Sequence, residues 1–230
     1  SISMGTMLSK ISNNDNDSLI FEKSDLKSFL KNAKKVCRIY NWIDTNVFAP
    51  KGKKDARQIL GLNPDEFYVI GVAQGWNEDK GLSVFIKLAE LLPEVNFILV
   101  GEDLTKQLFP KNLKIIGRTQ DIEELVTYYS AADVLANASL QESFGLVSAE
   151  ALSCGTPIIT NTSTANPELA QEGCGWIAEK NDLKRIKEYI NHIQEESSES
   201  FSENCREKAI CRFSKEKNLT EYLHAYFNIQ

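Results

Sequence analysis

The chain is poor in the residues that announce chemistry by themselves. It has only two histidines, His192 and His224, and no C-x-x-C pair, so the common zinc-site spacings are absent and no metal site is expected. Its five cysteines, Cys37, Cys154, Cys174, Cys205 and Cys211, are odd in number and irregularly spaced. They read as reduced thiols rather than a disulfide framework. No apolar run is long enough to span a bilayer, and the first residues lack a signal-peptide pattern, so a cytoplasmic location is expected. A net charge of −6 argues against whole-chain affinity for nucleic acid. What is present is ordinary for a globular protein: 42% hydrophobic and 25% charged residues over 230 positions, enough for one core with a small appendage.

The charge is uneven. Lys23, Lys27, Lys31, Lys34, Lys35, Arg38, Lys51, Lys53, Lys54 and Arg57 stand against only Asp25, Asp44 and Asp55. A run of this kind suits peripheral contact with an anionic inner membrane face. The preferred reading is plainer, a solvated helix face and a polar linker.

Three stretches are expected. Residues 1–40 form a polar segment followed by an amphipathic helix from Ser24, with Leu26, Phe29, Leu30 and Ala33 on one face. Asp15-x-Asp17 lies in that polar tract with no strand leading into it, and is not read as a metal site. Cys37–Tyr40 is read as a short strand, and Asn41–Pro50 as an irregular connector. Residues 41–212 then alternate. Apolar runs at Phe67–Ala73, Asn96–Gly101, Leu113–Gly117, Asp133–Ser139, Pro157–Ile159 and Gly175–Ala178 read as strands. Helical spacing falls between them, from about Lys80, over Asp121–Ala132 with Ile122, Leu125, Val126 and Tyr129 on one side, and through Leu183, Ile186, Ile190 and Ile193. Such alternation means an α/β fold, a Rossmann-like parallel sheet with helices on both faces. The acidic, serine-rich Glu195–Asn204 reads as a loop or frayed helix end. Residues 213–230 read as a closing helix with a packing stripe of Leu219, Tyr222, Leu223, Tyr226 and Phe227.

The most informative stretch is Glu142–Glu150, E-S-F-G-L-V-S-A-E. Glu142 falls in the loop leaving a strand, where ligands of open α/β sheets bind. Phe144, Gly145, Leu146 and Val147 are expected to open a helix that stops at Gly155. Free N–H groups at that helix start suit a phosphate or diphosphate. Glu150 lies about 12 Å further along, and two carboxylates bracketing the helix start suit hydroxyl donors. A sugar at each end of a diphosphate, a nucleotide-sugar, meets all three conditions.

The chain from about Tyr40 onward resembles the C-terminal, donor-binding half of a group 1 glycosyltransferase of the GT-B fold. The resemblance rests on Asn41-Trp-Ile-Asp-Thr-Asn-Val-Phe-Ala-Pro, Trp76-Asn-Glu-Asp-Lys-Gly, Tyr129-Ser-Ala-Ala-Asp-Val, the Glu142–Pro157 segment and Phe213-Ser-Lys-Glu-Lys-Asn, in order. It implies roles. Glu142 contacts donor-sugar hydroxyls, and the backbone at Phe144–Val147 holds the sugar and diphosphate. Glu150 binds the ribose, Lys80 neutralises the diphosphate, and backbone at Arg118 and Thr119 meets the base. A plainer reading stands beside each of the charged residues: Glu150 as a surface carboxylate paired with a lysine, and Lys80 as an ordinary residue at a helix start. The resemblance implies a retaining, metal-independent hexosyltransferase without a cofactor. It implies a nucleoside-diphosphate-sugar donor, a saccharide or lipid-linked acceptor, and a role in surface polysaccharide assembly.

The sequence departs from that pattern in two places. Gly75 stands where the family often has an arginine five positions before the lysine. Thr164-Ala165 stands where it often has Gly-Gly before Pro167-Glu168. Forty residues before the connector are too few for a first domain of this fold. The expectation is therefore a donor-binding fragment, inactive alone, or a chain that works with a separate N-terminal acceptor domain. Two rivals remain at this stage. One is a nucleotide-sugar epimerase. The other is a non-catalytic module such as a receiver-like domain, although its expected aspartates are missing from the strand ends Ala73, Gly101 and Gly117.

Overall fold

The computed structural model describes residues 39–101 and 108–227. The amphipathic segment at Ser24–Ala33, Asp15-x-Asp17, Cys37 and the basic residues up to Arg38 lie outside them. The described elements are α1 (Lys53–Leu60), β1 (Tyr68–Val72), α2 (Leu82–Leu91), β2 (Asn96–Val100), β3 (Leu113–Ile116), α3 (Ile122–Ala131), β4 (Val134–Asn137), α4 (Leu146–Ser153), β5 (Ile158–Asn161), β6 (Gly175–Ala178), α5 (Leu183–Glu196), α6 (Ser202–Phe213) and α7 (Lys215–Phe227), with short 3₁₀ turns at Glu78–Lys80, Asn166–Glu168 and Ser198–Phe201.

The six strands form one sheet in the order β3-β2-β1-β4-β5-β6, and every pairing is parallel. Period-two alternation gives each strand two apolar faces, as a sheet covered on both sides requires. Tyr68, Ile70, Ile98, Val100, Leu135 and Ile158 meet Val126 and Tyr129 of α3, Leu152 of α4 and Phe213 of α6. Val69, Phe97, Leu99, Val134 and Ile159 meet Phe85 and Leu88 of α2 and Ile186, Ile190 and Ile193 of α5. The strand order reverses between β1 and β4. The crevice beyond the carboxyl ends of these two strands is where such sheets take ligands.

α1 was not legible as a helix because its buried face carries an arginine. Arg57 is only 5% exposed. Its guanidinium donates to the carbonyls of Ala131 (3.0 Å) and Pro64 (2.6 Å) and to Asp133 Oδ2 (2.6 Å). Lys53 Nζ donates to Asp133 Oδ1 at 2.8 Å and also bonds Ser198. Lys51 Nζ reaches Glu123 (3.3 Å) and Thr127 (2.9 Å). Three of the ten basic residues are therefore occupied inside the fold rather than offered to a membrane. Among the described residues no helix is long and apolar enough to cross one.

Other boundaries differ for local reasons. The helix expected from Lys80 begins at Leu82. The 3₁₀ turn Glu78–Lys80 precedes it, and Gly81 takes a left-handed φ of 78° between them. A Cβ at Gly81 would lie 2.5 Å from the Cβ of Ala138, so the loops after β1 and β4 can touch only through glycine. Ile122 is 52% exposed rather than on the packed side of α3. Ile39 and Tyr40 are not in a strand. The serine-rich stretch holds the end of α5, a 3₁₀ turn and the start of α6. The closing helix begins at Lys215, not Phe213. Ser214 is extended between α6 and α7, and Ile43 bonds across it to Phe213 O (2.9 Å) and from Lys215 N (3.0 Å). Phe213 ends α6 inside the core, edge-on to Phe144 and Tyr40. In the closing stripe, Tyr222 packs edge-on to Trp42, while Leu223, Tyr226 and Phe227 stay exposed.

Candidate functional site

Two loops converge at the crevice. In the loop after β1, Asn77 caps the 3₁₀ turn by accepting from Lys80 N at 3.0 Å. The turn aims Lys80 across the crevice. Its Nζ donates to Glu142 Oε1 at 2.9 Å and to Ser139 Oγ at 3.2 Å. Lys80 and Glu142 side chains are 36% and 18% exposed, so the pair is reachable from solvent. Leu140 N bonds Asp79 O (2.8 Å), which stitches the two loops together along their backbones.

The loop after β4 is held from below by asparagines that sequence reasoning passed over. Asn161 and Asn166 both donate to Ser139 O (3.0 and 3.2 Å), and Asn166 also donates to Asn161 Oδ1 (3.1 Å). Asn137 Oδ1 accepts from Ser139 N at 3.1 Å. All three amides are buried. The available signal was an asparagine closing each of two apolar strands. A buried amide there must find partners, and the nearest are the loop's own backbone groups.

α4 opens at Leu146, two residues later than expected, because Gly145 is left-handed (φ 87°). Gly145 O accepts from Ser148 N and Ala149 N. The amides of Gly145, Leu146 and Val147 have no hydrogen-bond partner among the described residues, which leaves them free at the positive end of the helix. Phe144 contributes backbone only, since its ring is buried against Phe213 and Tyr40.

Glu150 lies in the second turn of α4. Its Oε2 accepts from Tyr129 Oη at 2.8 Å, so its partner is a tyrosine and not a lysine. Burial pushes its carboxyl up from 4.5 to about 7, with the Tyr129 bond pulling the other way. The fully buried Tyr129 hydroxyl is raised in turn, by burial and by Glu150. Arg118 and Thr119 follow β3 at the same carboxyl edge of the sheet. No hydrogen bond or ion pair among the described residues joins them to Lys80, Glu142 or Glu150. Gly75 lies between β1 and the 3₁₀ turn, beside the buried Trp76, whose Nε1 donates to Val100 O (3.3 Å). His192 packs edge-on to Trp176 and tilted against Phe201, and takes no part in the site. Among the described residues no three potential metal ligands cluster.

The site therefore joins a lysine and a glutamate 62 residues apart in sequence, a helix start with free amides, and a partly buried carboxylate. Comparison with known proteins bears on the family and the fold. The model of the family described as glycosyl transferases group 1 matches residues 52–212. The N-acetyl-alpha-D-glucosaminyl L-malate synthase of Bacillus anthracis is 27% identical over 226 residues, covering 92% of this chain and 58% of the synthase. Sucrose-phosphate synthase of Thermosynechococcus elongatus superimposes with a TM-score of 0.78 at 24% identity, over 90% of this chain and 55% of that one. HepE of Anabaena, solved in complex with UDP-glucose, gives 0.69 at 22% identity, over 83% and 57%. At these identities the two structures speak for the fold. The chain spans little more than half the length of each of the three.

Proposed function

The chain belongs to the group 1 glycosyltransferases, and from that premise we propose that it binds the donor of a retaining, metal-independent hexosyl transfer. Membership of a transferase family favours this reading over the epimerase and the non-catalytic module. The donor is a nucleoside-diphosphate-sugar, and the UDP-glucose held by the Anabaena relative makes a uridine donor the first to try. The acceptor is a saccharide or lipid-linked hydroxyl presented by a further domain, and the pathway is surface polysaccharide assembly. The observation that carries this reading is the Lys80–Glu142 pair, seated beside the free amides of α4 at the strand-order reversal.

The roles follow from charge. Loss of the nucleoside diphosphate breaks the bond between the anomeric carbon and the phosphate oxygen, and negative charge collects on the leaving group. Lys80 and the amides of Gly145, Leu146 and Val147 are placed to stabilise that charge. Once the diphosphate takes Lys80, Glu142 is released to accept hydrogen bonds from sugar hydroxyls and orient the ring. The acceptor oxygen bonds the anomeric carbon, and its proton passes to the departing diphosphate oxygen. Glu150 accepts from the ribose, and the backbone at Arg118 and Thr119 lies along the same edge for the base.

Lys80→Ala is expected to weaken UDP binding by about 1.5–3 kcal/mol, roughly 10- to 150-fold, and to leave uridine binding nearly unchanged. The loss shrinks as salt rises, because the lysine is partly exposed and screened. Calorimetry with both ligands, with and without a chelator, checks this. Equal loss for uridine and UDP would remove the diphosphate role from Lys80, and a strict need for Mg²⁺ would refute the metal-free reading.

A further inference from the structure

Thr164 is the residue in this crevice whose backbone and side chain both ask for an explanation. Its φ is +43°, a left-handed conformation that β-branched residues rarely adopt because the Cβ crowds the backbone. A strained threonine on an exposed loop persists only where its surroundings hold it. Here the hold is specific. Thr164 Oγ1 accepts from Glu142 N at 2.8 Å and donates to Glu142 O at 2.7 Å. One hydroxyl thus closes a two-way bridge onto the backbone of a single residue, and Ala165 N adds a third bond to Glu142 O at 3.3 Å. On one side Ser163 is buried, and its N–H donates to Asn161 Oδ1 at 2.8 Å. On the other, Asn166 is tied to Ser139 O. The residues around Thr164 are fixed, and Thr164 passes that fixity to Glu142.

We infer that Thr164 is a positioning residue that presents the Glu142 carboxylate to the donor sugar. The inference rests on the reading that Glu142 meets sugar hydroxyls. When a diphosphate takes Lys80, Glu142 loses its ion-pair partner, and only its backbone tether keeps the carboxylate facing the crevice. A pre-set carboxylate spares the ordering cost of binding the sugar. The diphosphate's own partners, Lys80 and the amides of α4, do not hang on Thr164. Its loss therefore affects the sugar-dependent part of binding and spares the nucleotide part.

Three variants separate this role from a merely structural one. Thr164→Ser keeps the hydroxyl, Thr164→Val keeps the branched shape without it, and Thr164→Gly removes both hydroxyl and strain. Hydrogen–deuterium exchange of the Glu142 amide needs no ligand. It is expected to stay protected in T164S and to exchange at least tenfold faster in T164V and T164G. Calorimetry with UDP-glucose and UDP is expected to show the affinity ratio between them falling about tenfold in T164V and T164G, with UDP alone and T164S within twofold of the parent. Unchanged protection at Glu142 in T164V overturns the bridge. A lowered melting temperature with an unchanged affinity ratio, in a protein where Glu142→Ala abolishes that ratio, leaves Thr164 a structural role only and overturns the inference. A ratio that Glu142→Ala leaves untouched refutes the sugar-binding reading itself, while the exchange result still decides whether Thr164 holds Glu142.

Discussion

Asp133→Ala is expected to destabilise the chain by about 3–5 kcal/mol, the scale of removing one partner from a buried ion pair. Asp133 stands one residue before β4, and its side chain is 9% exposed. Each of its oxygens takes two donors. Oδ2 accepts from Arg57 Nη2 (2.6 Å) and Tyr68 N (2.8 Å), and Oδ1 from Lys53 Nζ (2.8 Å) and Ser198 Oγ (2.7 Å). Removing it strands an almost fully buried guanidinium and the first strand amide of β1 together, and neither can reach water without opening the fold. Asp133→Asn keeps the shape and some acceptors but loses the charge, and should fall between the two. Lys54→Ala, on the exposed side of α1, serves as the neutral control. Urea unfolding followed by circular dichroism measures all three. A midpoint for Asp133→Ala indistinguishable from that of Lys54→Ala would show that the four-way junction contributes nothing.

Glu150→Gln is expected to stabilise the chain increasingly as pH rises. In the folded chain the Glu150 carboxyl titrates at about 7, against an ordinary value of 4.5, because burial disfavours its charged form. The folded state thus holds a proton that the unfolded state has given up between those values. The favourable contribution of Glu150 is whole below pH 4.5 and is lost as pH climbs through 7. Glutamine has no proton to lose and keeps an acceptor for Tyr129. The stability gap between variant and parent should widen by about 3 kcal/mol from pH 4.5 to pH 8, following the shift at roughly 1.4 kcal/mol per pH unit. Denaturant titrations at several pH values test it, and a gap that does not change with pH would refute it. The same carboxylate becomes cheaper to ionise when a ligand brings hydroxyl donors, so nucleotide binding near neutral pH should release protons.

What the sequence disclosed and what it hid divide along physical lines. The six strands were legible because a sheet covered on both faces must be apolar on both, and Ile98–Val100 or Ile158–Ile159 have no other use. Glu142 was singled out by its place in the loop leaving a strand and Lys80 by the resemblance carried on Trp76-Asn-Glu-Asp-Lys-Gly, and the fold brings the two together at 2.9 Å. α1 was hidden because Arg57 looks like a solvent residue until Asp133, 76 positions away, is folded against it. α6 was hidden because its serine and glutamate content masks the wide spacing of Cys205, Ala209 and Phe213, which face the sheet. Thr164 gave no sign of a left-handed backbone. Glycine at that position would have suggested one, whereas threonine argues for the opposite conformation, and only the bridge to Glu142 explains it.

The order of the strands also dates the site in the life of the molecule. β1, β2 and β3 follow one another in sequence and pair as neighbours, and so do β4, β5 and β6. The two groups meet along a single seam, where Tyr68 N bonds a residue 65 positions downstream. Short connections close early and long ones late, because the entropy of bringing distant segments together must be met before their contacts repay it. Lys80 arrives with the first group and Glu142 with the second. Neither half by itself has a crevice. A chain emerging from the ribosome carries the lysine well before the glutamate and its helix, and the seam must zip before there is anything to hold a diphosphate. The binding site thus exists only once the two halves have joined, and it is lost whenever they part.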